Sequence, residues 1–225
     1  MSQPAVAALA PEPFDFELVF DDGEPLESPW HRSQITFLEE LLLQHLEEQR
    51  WTDVYVGANE FVYYSVEQAR QVAERVGRNR PSEEVRGPDV FWVSGVDPTV
   101  EREGWVSWRE GGRLPDVIFE LFSKSNTLAH RKQKKELYSR VFRTAEYFVY
   151  GPRSRRPEGF RLIGGDYRAI EPDARGCLWS EQLHLFIGAW QGVFRRRSAH
   201  WIRFFRPDGS MMLTSREQLE QMHRL

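Results

Sequence analysis

Apolar and polar positions change period several times along the chain, and each change marks an element. From Ser33, the stretch SQITFLEELLLQHLEEQR sets Ile35, Leu38, Leu42, His45 and Leu46 at helical spacing among glutamates, which predicts an amphipathic helix. Before it, FDFELVFDDGEPLES predicts a short strand and a turn, and residues 1–13, rich in Ala and Pro, a flexible leader. After it, WTDVYVGANEFVYYSV predicts two short strands joined through Gly57 to Glu60, and EQARQVAERVGRNRPSEEV a polar, helix-prone surface insert. GPDVFWVSGV and PDVIFELFS are dense in β-branched and aromatic residues and predict core strands that form a hairpin across WVSWREGGR. NTLAHRKQKKELYSRVFRT returns to the helical period, with Leu137, Tyr138, Val141 and Phe142 as its apolar stripe, and AEYFVYG is again a strand. GFRLIGGDYRAI, LWSEQLHLFIGAW and HWIRFFRPDGSMML predict hairpins, and REQLEQMHRL a closing helix. Strands separated by one long helix, with hairpins around them, give an α/β (α+β) class with a mixed sheet flanked by helices.

Composition narrows the function. The 225 residues suffice for one generous domain or two small ones, and the net charge of -4 excludes blanket attraction to nucleic acid, so any such surface must be local. A single cysteine, Cys177, cannot form an intrachain disulfide or a cysteine-cluster zinc site, which fits a reducing, cytoplasmic setting. The first residues lack the basic start and apolar run of a secretory signal, and no stretch reaches about 18 apolar residues, so neither export by that route nor a membrane span is expected. The chain has no Gly-Lys-Ser/Thr phosphate loop, dinucleotide fingerprint, serine elbow or His-Glu-x-x-His pair.

Candidate chemistry gathers around PDVIFELFSKS. Asp116 and Glu120 share a strand face, but four residues at about 3.3 Å each put roughly 13 Å between them, too far to hold one ion. Two Pro-Asp strand starts, Pro88-Asp89 and Pro115-Asp116, bring further acids to the sheet; taken singly, each Asp reads first as a turn or cap residue. Glu120 lies inside IFELF, where an ionised carboxylate demands a cation, a metal or a hydrogen-bond network. Lys134 falls on the apolar stripe of the following helix with His130 one turn earlier, whereas Arg131, Lys132 and Lys135 fall mostly on the solvated side. From spacing alone, Lys134 either meets Glu120 or snorkels at the stripe's edge. Ser123, Ser125 and Asn126 read as helix caps.

In order and spacing, GPDV, PDVIFELFSKS and KKELYSRVFRTAEYFVYGP, followed by GFRLIGGDY and LWSEQLHLFIG, closely resemble the Uma-two family, a large bacterial group of endonucleases. The resemblance covers residues 16–190 and implies a restriction-endonuclease-like fold with a PD-(D/E)XK-type site. It implies a Mg2+- or Mn2+-dependent endonuclease that hydrolyses DNA phosphodiester bonds, two acids holding the metal and a lysine supporting the attacking water. Asp89 matches the first acid and Glu120 the second, with the backbone carbonyl of Leu121 as a further ligand. The usual lysine position, two residues after the second acid, holds Phe122, and Lys134 on the helix matches the lysine of related sequences. Where many relatives carry Asp, this chain has His130, which with Asp116 is a possible accessory residue. Lys124, Arg131, Lys132 and Lys135 are the nearest candidates for the nucleic-acid backbone, and Arg195, Arg196 and Arg197 form a second basic run. Residues 14–190 would form the nuclease-like domain and 191–225 a hairpin and helix packed on it, and cutting both strands would suit a homodimer. A second reading, prompted by Phe122, His130 and the net charge, is a catalytically weakened nuclease-fold protein serving as a nucleic-acid-binding or protein-assembly module.

Overall fold

The computed structural model describes residues 14–20, 28–76, 87–122 and 128–223. Its first helix, α1 (Pro29–Gln49), starts four residues before Ser33 because Ser28 is the N-cap: its hydroxyl accepts the His31 N–H at 3.1 Å, and Pro29 supplies a pre-set first turn. Strands β1 (Val54–Ala58) and β2 (Val62–Tyr63) follow, then α2 (Val66–Val76), β3 (Val90–Ser94), β4 (Trp105–Val106) and β5 (Val117–Leu121). Helix α3 (Leu128–Glu136) widens into a π-helical turn over Leu137–Phe142. The remainder is β6 (Glu146–Tyr150), β7 (Glu158–Ile163), β8 (Asp166–Ala169), β9 (Leu178–Ser180), β10 (Leu185–Phe194), β11 (Arg197–Phe205) and α4 (Ser215–Met222).

The main sheet has the order β1-β3-β5-β6-β7-β8 and is mixed: β5 and β6 are parallel, and the other neighbours antiparallel. The parallel pair requires a crossover, which α3 and its π turn provide. β3 and β5 are antiparallel neighbours, as the hairpin reading expects. Period two then divides the strand residues between two cores. Val90, Trp92, Val117, Phe119, Leu121, Phe148 and Tyr150 face α1 and the second sheet, β11-β10-β9. Phe91, Val93, Ile118, Phe122, Tyr147 and Val149 face the other way, onto Tyr138 and Phe142 of the π turn. Widening that turn breaks the i, i+3, i+4 stripe, so Val141 is 48% exposed although the helical spacing predicts it buried.

Two further expectations change. Residues 14–20 form no strand; they are held by the Tyr63 hydroxyl, which meets both the N–H and the carbonyl of Val19. The predicted surface insert is only partly surface, since Ala69 and Val72 of α2 pack with Phe61, Tyr63 and Val106; residues 77–86 lie outside the described ones, as does the 1–13 leader. β10 runs unbroken through residue 190, and Trp201, Ile202, Phe204 and Met212 share a core with α1. Gln34 of α1, fully buried, donates to the Ile202 carbonyl at 3.1 Å and accepts its N–H at 2.8 Å, so a side-chain amide stands in for a missing strand neighbour of β11. Arg203, equally buried, donates to the Met212 carbonyl and to both carboxylate oxygens of Glu217, fixing α4 to β11. At the β10–β11 tip, Arg195 and Arg196 take positive φ values of 47° and 62°. No described helix is long and apolar enough to cross a membrane.

Candidate active site

β5 runs through the middle of the sheet and turns Glu120 toward α3, leaving it 2% exposed. The carboxylate is not left bare. Lys134 Nζ donates to Oε2 at 2.7 Å and the Tyr138 hydroxyl to Oε1 at 2.6 Å. Lys134 and Tyr138 are four residues apart, one on the α-helical part and one inside the π turn, so one helix face supplies both donors. Burial pushes the Glu120 carboxyl up from its ordinary range and the nearby Asp89 charge adds to this, outweighing the opposing pull of Lys134. The Tyr138 phenol is driven well above its usual value by burial and by the Glu120 charge, so it stays protonated and donates.

Asp89 immediately precedes β3, and the register Val90 opposite Phe119 continues to place it across from Glu120. Its Oδ2 accepts the Leu121 N–H at 2.6 Å, and its Oδ1 lies 2.8 Å from His31 Nε2. Against an ionised carboxylate, that ring nitrogen must be the protonated one. Burial pushes Asp89 upward, but the His31 hydrogen bond, the charges of His31 and Lys134 and the Leu121 amide together bring it below the ordinary carboxylate value. The two acids are therefore unlike: the surroundings of Asp89 favour its ionised form, whereas burial works against that of Glu120 and Lys134 offsets only part of the effect.

Could these acids hold a metal? Among the described residues no cluster of three or more His, Cys, Asp and Glu side chains is arranged to do so. Two carboxylates are a poor set for zinc but suit magnesium, which binds through one or two carboxylates and keeps several waters of its own. Each of the four carboxylate oxygens accepts one hydrogen bond and keeps a second lone pair, so the donor chemistry fits a hard cation.

The other sequence candidates are dispersed. Asp116, at the opposite end of β5, accepts the N–H and hydroxyl of Ser94 at 2.8 and 2.7 Å and so ties β5 to β3. His130 is half-buried in the first turn of α3. Arg131 lays its guanidinium over the Phe122 ring at 4.3 Å, and its buried Nε has no hydrogen-bond partner among the described residues. Lys135 sits 3.4 Å above Phe160, and burial lowers its pKa; Lys132 is exposed beside Glu136. Lys124, with Ser123, Ser125 and Asn126, lies outside the described residues. Two site residues escaped the sequence reading, His31 and Tyr138. The Ser28-Pro29 helix start would have brought His31 into α1, and the i+4 spacing from Lys134 marks Tyr138. A second buried carboxylate, Glu146 at the start of β6, lies on the other face of the sheet and takes donors from Arg161, Ser180 and the Glu181 and Gln182 amides. It is structural.

The mixed sheet thus brings two acids together from adjacent strands, one of them paired to a helix lysine. Residues 6–191 match the family model Uma2, described as "Putative restriction endonuclease", and the chain belongs to that family. A solved structure from Anabaena variabilis, described as "a putative nuclease belonging to DUF820", is similar over 71% of this chain and 76% of that one, with 12% identity and a TM-score of 0.46. No curated protein gives a significant match.

Proposed function

We propose that this protein is a Mg2+- or Mn2+-dependent endonuclease that hydrolyses DNA phosphodiester bonds, acting as a homodimer. The observation that carries the reading is the buried Glu120–Lys134 pair across from Asp89. A structural ion pair would serve equally well as two apolar residues, so retaining it beside a second acid favours chemistry. Family membership supports the same class.

In this reading Asp89, Glu120 and the Leu121 carbonyl hold the cation, which when bound lowers the pKa of a water and offsets charge on the phosphate. The protein's own groups do the rest. Lys134, whose Nζ donates to Glu120, holds the attacking water and the developing negative charge in this reading. Tyr138 fixes the Glu120 carboxylate, and His31 and the Leu121 amide fix that of Asp89. Arg131, Lys124, Lys132 and Lys135 are the contacts to the nucleic-acid backbone in this reading. His130, one turn before Lys134 on α3, is the accessory proton carrier in this reading, whereas Asp116 keeps its strand-tying task.

The test is nicking of supercoiled plasmid with Mg2+ or Mn2+, with and without EDTA. Wild-type protein should nick only with metal, and Glu120→Gln and Lys134→Met should each lower the rate about 100-fold or more, as loss of about 3 kcal/mol of transition-state stabilisation requires. Metal-dependent nicking that survives both substitutions would sink the proposal. Tight DNA binding with no cutting under any metal would favour the non-catalytic module instead.

A further inference from the structure

The β10–β11 hairpin ends in three arginines, and its turn takes a shape that makes arginine costly there. Phe194 pairs with Arg197, so the loop is two residues long, with Arg195 at φ 47° and Arg196 at φ 62°. This is the type I′ geometry that Asn-Gly fits best, because left-handed backbone crowds a Cβ. Nothing among the described residues accounts for the arginines. All three are exposed and none has a carboxylate partner there, although the chain as a whole is acidic at -4. Arg195 lies 5.5 Å from the Phe194 ring.

Packing behind the tip sustains the strain. The Phe194 ring stacks on Phe37 of α1 at 4.4 Å and meets Trp201 edge-on. One turn of α1 also links the hairpin to the acid pair: Trp30 Nε1 donates to the His200 carbonyl at 3.1 Å, while the next residue, His31, reaches Asp89 at 2.8 Å. Arg197 stands three residues before His200, about 10 Å of strand. Three guanidinium groups, each able to grip a phosphate with two donors, are thus presented on a rigid hairpin tied to the helix turn that braces the site.

We infer that the β10–β11 tip is a phosphate-binding arm, in which Arg195, Arg196 and Arg197 contact the phosphodiester backbone of the nucleic acid held at Asp89 and Glu120. The inference rests on the endonuclease reading and gives it a substrate-holding surface outside α3. Because the turn is strained, one double variant separates a binding role from a structural one. Arg195→Asn with Arg196→Gly restores the preferred turn sequence and removes two charges, so its Tm should rise. Its affinity for a fluorescent DNA duplex, measured by anisotropy in EDTA so that cutting cannot occur, should fall about tenfold, and the log–log salt slope should flatten by about 1.8.

Unchanged affinity and salt slope in the double variant would overturn the arm while leaving the nuclease reading intact. Loss of binding in a protein that never nicks plasmid would keep the arm and remove the nuclease reading. Wild-type protein that ignores DNA but binds phosphatidylserine vesicles would overturn the arm in favour of a lipid headgroup.

Discussion

Glu120 and Asp89 face each other with opposite biases, and their hydrogen-bond partners decide how each behaves. The Tyr138 hydroxyl is the second donor on Glu120, so Tyr138→Phe removes a charge-assisted hydrogen bond worth about 1.5–3 kcal/mol while keeping the ring in its core. Nicking should slow at least about tenfold, with the Mg2+ concentration for half-maximal rate also raised; a change in Tm without a change in metal dependence would make Tyr138 purely structural. His31 acts on the other acid. Since its hydrogen bond and charge help hold Asp89 below the ordinary value, His31→Ala should let the Asp89 pKa rise and move the acid limb of the pH–rate profile to higher pH. His31→Gln, which keeps a donor, should recover part of that shift. At this scale the sequence was informative about Glu120, because a carboxylate inside IFELF demands a partner. It was silent about His31, whose contact with Asp89 spans 58 residues.

Elements were legible where a single period dominated. β3, β5, β6 and the β7–β8 and β9–β10 hairpins lie where the alternation places them, whereas HWIRFFRPDGSMML pairs back to β10 and closes on itself by an isolated Phe205–Met211 bridge, α1 begins earlier than its apolar stripe, and the strand expected over residues 14–20 is absent. The last two differences come from contacts that local pattern does not encode, the Ser28 cap and the hold of Tyr63 on Val19. The π turn is the subtler case: one extra residue per turn keeps Tyr138 and Phe142 on the core and sends Val141 outward. α4 depends on one pair. Burial raises the Glu217 carboxyl, but Arg203 and the Thr214 N–H outweigh it and leave its pKa below normal. A lowered pKa means stability that is present above the unfolded carboxylate value and lost as pH falls through the folded one. Glu217→Gln should therefore cost about 3 kcal/mol at neutral pH, the low end for a broken buried pair because Glu217 keeps 28% side-chain exposure. Urea melts of the two proteins should converge as pH falls through the lowered Glu217 pKa.

For the whole molecule, the sequence indicated the mixed sheet and the meeting of Lys134 with Glu120 but not how the C-terminal third closes the core. Cutting the chain after residue 190 removes Trp201, Ile202, Phe204 and Met212 from the core around α1 and leaves Gln34 buried without the backbone it bridges. Such a truncation should lose its cooperative melt as well as nicking; a shortened chain that kept both would show that α1 needs no second sheet. The Gln34–Ile202 bridge carries a consequence for how the protein is made. It joins residues 168 apart, and the Trp30–His200 contact spans 170, so the helix that braces Asp89 must wait for β11 before it can dock. Folding should be slow, as high contact order dictates, and a nascent chain that has not yet reached β11 should carry both acids without the helix that braces Asp89 in place.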